Sequence, residues 1–148
     1  MLLSRLKMFA EFNESQLPIV KITLNNRIED EDDFNNFLNG WLNYYRQKKE
    51  VIFLFDAINV GYIPVKYCFK MSTFIRELKQ LDKQYLQRSF IIANSWIVKS
   101  LLRIIFSIQS PVAPVYIVRT QEIALLMNQD IIDTKSVSLY NYYAYYPK

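Results

Sequence analysis

The most constraining stretch of the chain is V-I-F-L-F-D, residues 51–56. Its five apolar residues show no polar alternation. A strand built from them must be covered on both faces, which is the pattern of a parallel strand inside a layered α/β domain. The run ends on the carboxylate of Asp56 and breaks into A-I-N-V-G-Y-I-P, a loop.

The same theme recurs along the chain. Pro18 opens I-V-K-I-T-L-N, a β-branched alternation that reads as a strand. Residues 90–93 in R-S-F-I-I-A-N form another buried run, and V-Y-I-V at 115–118 a fourth. Helical spacing fills the gaps. Phe34, Phe37, Leu38, Trp41, Leu42 and Tyr45 share one face of a helix, with Gly40 off that stripe. Cys68, Met71, Ile75 and Leu78 mark the inner face of a second helix, beginning near Val65. Ser95 or Asn94 caps a third, Trp96–Ile108, and residues 121–128 give a short fourth. Strand–helix alternation repeated four times predicts one α/β domain over residues 1–148. Its sheet is four- to five-stranded, mostly parallel or mixed, and flanked by helices.

Both ends of the chain stand outside this alternation. Residues 1–17 begin M-L-L-S-R-L-K-M-F-A-E-F, read as an amphipathic N-terminal helix covering the domain's own core. Residues 134–148 are a Tyr-rich tail, read as a terminal segment packed on the domain or as a mobile tail.

Composition narrows the chemistry. The 148 residues contain no histidine, which removes Ser-His-Asp and Cys-His catalysis and His-ligated zinc. Two glycines, Gly40 and Gly61, leave no glycine-rich phosphate loop. Cys68 is the single cysteine and has no neighbouring base, so it reads as a small core residue in a reducing, cytoplasmic setting. The net charge of +4 is scattered over helices as solubilising charge, and nucleic acid is not expected as a partner. The acidic run at residues 29–33 reads as a helix N-terminus, where free N–H groups and the dipole favour carboxylates, and no metal is expected there.

In open α/β sheets ligands bind at the carboxyl ends of the strands. That edge collects Asn25, Asn26, Asp56, Asn59, Asn94, Ser95, Arg119 and Thr120. The candidate binding residues are therefore Asp56, Asn59, Asn94, Ser95, Trp96 and Arg119. No catalytic residue, metal ligand or cofactor is assigned. Asp56, the one candidate base, reads as a loop organiser.

The segment D-A-I-N-V, then a helix, then Y-L-Q-R-S-F-I-I-A-N-S-W-I-V-K-S-L-L-R-I-I-F resembles the second half of CRAL-TRIO lipid-binding domains. The strand–helix order is also similar to the STAS domain of anti-sigma-factor antagonists and sulfate transporters. The resemblance spans residues 51–118. Asp56 matches the acidic strand end of both families, and Asn94 and Trp96 match the Asn and aromatic positions of the CRAL-TRIO segment. The antagonists carry a phosphorylatable serine just after the Asp strand. The comparable residues here, Tyr62, Ile63, Pro64, Val65 and Lys66, include no serine or threonine.

The resemblance implies a non-enzymatic STAS-like interaction or regulatory module without the phospho-switch. It would contact another protein, or itself, through the Trp96–Ile108 helix or the loop edge. The alternative is a minimal CRAL-TRIO-like protein binding a lipid or membrane surface.

Overall fold

The computed structural model describes residues 8–148. The strands are β1 (Ala10–Gln16), β2 (Ile19–Leu24), β3 (Val51–Asp56), β4 (Leu86–Ile92), β5 (Val115–Val118) and β6 (Tyr143–Tyr145). The helices are α1 (Glu31–Arg46), α2 (Lys66–Lys79), α3 (Trp96–Ile108) and α4 (Gln121–Ile132). The six strands form one sheet whose spatial order is the chain order. β2 to β5 run parallel, and β1 and β6 pair antiparallel at the two edges.

Each β–α–β step moves one strand further in the same direction. Crossovers of one hand then put their helices on one face of the sheet. Phe53, Phe55, Ile91, Val115 and Ile117 share a core with residues of α1, α2 and α3. The alternate residues Ile52, Leu54, Phe90, Ile92, Tyr116 and Val118 point the other way, against α4 and the segment after it. Both faces of β3 are therefore buried, as its unbroken apolar run requires.

The sheet has six strands rather than four or five, and the two unanticipated ones lie at its edges. Residues 10–16 are strand, not part of an amphipathic helix; residues 1–7 of that expected helix lie outside the described residues. Ala10 is buried and Phe12 half-buried while Glu11 and Asn13 are exposed, a period of two that suits a half-covered edge strand. β1 turns into β2 through the cis Leu17–Pro18 peptide. At the other edge, β6 pairs with β5, and Tyr142 and Tyr145 pack on Tyr116 and Phe106.

The acidic run has structural work. Asp30 caps α1 by accepting the Asp33 N–H at 2.8 Å. Asp33, buried, accepts the Phe9 N–H at 2.8 Å and the Glu29 N–H at 2.9 Å, tying the start of β1 to α1. Glu31 reaches Lys66 and Lys70 of α2 at 3.1 and 3.0 Å. Leu38 and Leu42 are only half-buried, while Tyr44 is almost wholly buried and its hydroxyl donates to Glu14 of β1 at 2.7 Å. Gly40 also faces β1. A Cβ there would come within 2.5 Å of the Phe12 ring, so glycine lets β1 approach the helix.

Candidate functional site

The carboxyl ends of β2, β3, β4 and β5 lie side by side, and the loops leaving them form one rim. Asp56 is half-buried at the end of β3, and its Oδ1 accepts the Ile58 N–H at 3.2 Å. This Asx turn starts the loop to α2, so the carboxylate organises the loop. Asn26 bridges to the same loop: its carbonyl accepts the Gly61 N–H at 2.8 Å and its side chain donates to the Asn59 carbonyl at 3.4 Å. Asn59 thus takes part through its backbone. Ser95 caps α3 by accepting the Ile97 N–H at 3.1 Å, and Thr120 caps α4 by accepting the Ile123 N–H at 3.1 Å. Asn94 is exposed, and Trp96 projects from the first position of α3 with 76% of its surface exposed.

Arg119 stands one strand further along. It borders a polar cleft of about 70 Å³ with Lys99, Asn141, Tyr142 and Tyr143, where the start of β6 faces the end of β5. The Lys99 ammonium lies over the Tyr143 ring at 4.6 Å. The rim therefore brings together Asp56, Asn59, Asn94, Ser95 and Trp96 on neighbouring strand ends, and leaves Arg119 in a separate cleft.

Sequence reasoning missed the apolar members of the rim. Ile58 and Tyr62 in the β3–α2 loop, and Val65 and Phe69 at the start of α2, are all exposed, Tyr62 by 78% and Phe69 by 54%. Val65 and Phe69 lie four residues apart, off the stripe of Cys68, Met71, Ile75 and Leu78. That second, outward stripe was the available signal. α2 also starts differently from its neighbours. Val65 at its N-cap makes no side-chain cap, whereas α1, α3 and α4 are capped by Asp30, Ser95 and Thr120. The first hydroxyl on α2 other than Tyr67 is Ser72, buried, which donates to the carbonyls of Cys68 and Ile105.

Beneath the helices lies an apolar cavity of about 150 Å³. Ile28, Val60 and Ile63 line it near the rim, and Leu86, Pro111 and Val112 at the opposite end. Its walls are the inner faces of α2 and α3 (Cys68, Met71, Leu101, Leu102, Ile105) and the sheet residues Phe55, Ser89, Ile91 and Val115. The residue sizes explain the space. β3 offers Phe53 and Phe55 to the helices, but β4 offers Ser89 and α2 offers Cys68 and Ser72. Burial pushes the Cys68 thiol above its ordinary pKa, so it sits there as a neutral, inert group. Trp41 borders the cavity as well. Its indole N–H lies near the Tyr45 hydroxyl but falls short of hydrogen-bond geometry, leaving it without a partner. The Tyr45 hydroxyl instead donates to Gln84 at 2.7 Å.

No helix among the described residues is long and apolar enough to cross a membrane. No protein-family model matches the chain, and it has no significant match among curated proteins or solved structures.

Proposed function

We propose that the protein is a non-enzymatic, STAS-like interaction module of the cytoplasm that binds another protein, or a second copy of itself, through its carboxyl rim. The observation that carries this reading is the concentration of exposed apolar side chains there: Ile58, Tyr62, Val65, Phe69 and Trp96. Such residues in a contiguous group mark contact surfaces, and aromatic residues dominate the energetics of those contacts. The polar side chains of the same rim are occupied with turns and caps, as Asp56 and Ser95 show. The start of α2 carries no exposed serine or threonine until Thr73, so the serine phospho-switch of the antagonists has no counterpart there.

A photo-crosslinking amino acid placed at Phe69 or Trp96 should capture the same partner, or a second copy, while one placed at exposed Asn39 of α1 should not. The double variant Phe69→Ala/Trp96→Ala should abolish the association in sedimentation velocity. A chain that stays monomeric and yields equal crosslinking at all three positions would rule the reading out.

The second reading, a minimal CRAL-TRIO-like lipid- or membrane-binding protein, draws support from the exposed aromatic side chains Tyr62, Phe69 and Trp96, which suit a membrane surface. Flotation with anionic vesicles tests it: co-migration supports it, and a chain left at the bottom of the gradient removes it.

A further inference from the structure

We infer that the cavity under α2 and α3 is a binding site for a small neutral apolar molecule, the size of a substituted benzene ring, carrying one hydroxyl or carbonyl oxygen. This goes beyond the rim-contact reading and does not depend on it. Three observations lead to it. The first is volume. The cavity holds about 150 Å³, and an apolar space of about that size accommodates benzene. It is far too small for a whole lipid with its acyl chains.

The second is charge. Among the described residues, no lysine, arginine, aspartate or glutamate lines the cavity. An ionised carboxylate or phosphate would lose its hydration there without gaining a partner. The ligand is therefore neutral.

The third is Ser89. It lies in the floor of the cavity, 3% exposed, on the central parallel strand β4. Its backbone N–H is used by the Pro114 carbonyl at 2.9 Å. None of the side-chain hydrogen bonds among the described residues uses its hydroxyl, and the indole N–H of Trp41, buried and without a partner, borders the same cavity. A buried polar group left unpaired is costly; the Trp41 indole can donate, and the Ser89 hydroxyl can both donate and accept. An oxygen on a ligand ring would satisfy it. The apolar walls would hold the rest of the molecule, much as they would hold a missing side chain.

The test is methyl NMR of the full chain titrated separately with toluene, p-cresol and octanoate. Toluene and p-cresol should both shift the methyl resonances of Met71, Leu101 and Val115. One net hydrogen bond makes p-cresol bind roughly fivefold tighter than toluene. Octanoate, the charged control, should leave these methyls unmoved. Ser89→Ala should keep toluene binding and lose the preference for p-cresol. Ser89→Leu should fill the space and abolish both; if it fails to fold, Ala113→Val narrows the same cavity and should weaken both.

Absence of methyl shifts up to the solubility limit would overturn the proposal. So would octanoate binding equal to p-cresol, or cresol binding indifferent to Ser89→Leu. The double variant Phe69→Ala/Trp96→Ala should titrate like the parent protein, so loss of partner binding and loss of cavity binding are separable results.

Discussion

The helical layer meets the sheet in two different ways. Over β2 and β3, α1 packs with aromatic rings. Trp41 stands edge-on to Phe53 at 5.1 Å and to Phe74 at 5.4 Å, and touches Phe37 and Phe55 as well. Over β4 and β5, α2 and α3 pack on each other through Cys68, Ser72, Ile75 and Ile105, and leave a cavity above Ser89. The same β–α–β geometry serves both halves. Side-chain volume differs between them: large planar residues fill the first seam, small ones (Cys68, Ser72, Ser89) mark the second, and the cavity lies where the two meet, with Phe37, Trp41 and Phe55 on its near wall. One half is filled by rings, and the other keeps an unfilled apolar space.

Removing the key ring of the tight half should have the largest effect. Trp41→Ala should cost about 4 kcal/mol in denaturant unfolding, near the top of the range for aromatic-to-alanine changes. In the open half, Leu101→Ala enlarges an existing space and should cost about 2 kcal/mol, the low end for such truncations. If the two losses prove equal, the contrast between the halves is wrong.

Ser89→Val should reverse the sign. It replaces an unpaired hydroxyl with a methyl that fills part of the cavity, and should raise stability by about 1 kcal/mol, read as a higher denaturation midpoint. Trp96→Ala changes the open half only at its surface. It should shift stability by less than about 0.5 kcal/mol while weakening partner binding.

The smallest expected effect lies between the halves. Glu31 of α1 accepts hydrogen bonds from Lys70 and Lys66 of α2, which hold its carboxyl below its ordinary value of 4.5. A depressed folded pKa means the stabilisation is fully present above the unfolded value. It is lost as pH falls through the depressed one. Glu31→Gln should therefore reduce stability slightly at neutral pH, and the difference from the parent should vanish as acid titration passes below the depressed Glu31 pKa. The pair is exposed, so salt should screen it.

Much of the frame was legible in the chain itself. V-I-F-L-F-D specified a doubly covered strand, and α3 begins and ends where its spacing and the Ser95 cap indicated. The edges were not legible for a physical reason. β1 has one covered face and charged residues on the other, and β6 is three residues long, so neither gives a strong periodic signal. Asp56, Ser95 and Asn59 were placed on the rim correctly, but as turn and cap elements. Phe69 and Val65, which give the rim its apolar character, were legible only as a second stripe four residues apart, which the stronger inner stripe of Cys68, Met71, Ile75 and Leu78 overshadowed. Gly40 shows the same limit: its value lies in Phe12, 28 residues away in sequence, which only tertiary structure brings to it. The cavity depends on what neighbouring strands place beside Ser89, and no single segment encodes that.

The strand order has a consequence for how the chain acquires its structure. Ile19 pairs with Ile52, Val51 with Leu86, Ser89 with Val115, and Val115 with Tyr145. Every pairing closes a loop of similar, moderate length, and no strand waits for a distant one to be inserted beside it. Folding can then advance from the amino end in the direction of synthesis, each β–α unit docking on a completed edge. The short β6 pairs antiparallel with β5 and covers the edge that the parallel run would otherwise leave open to a neighbouring chain.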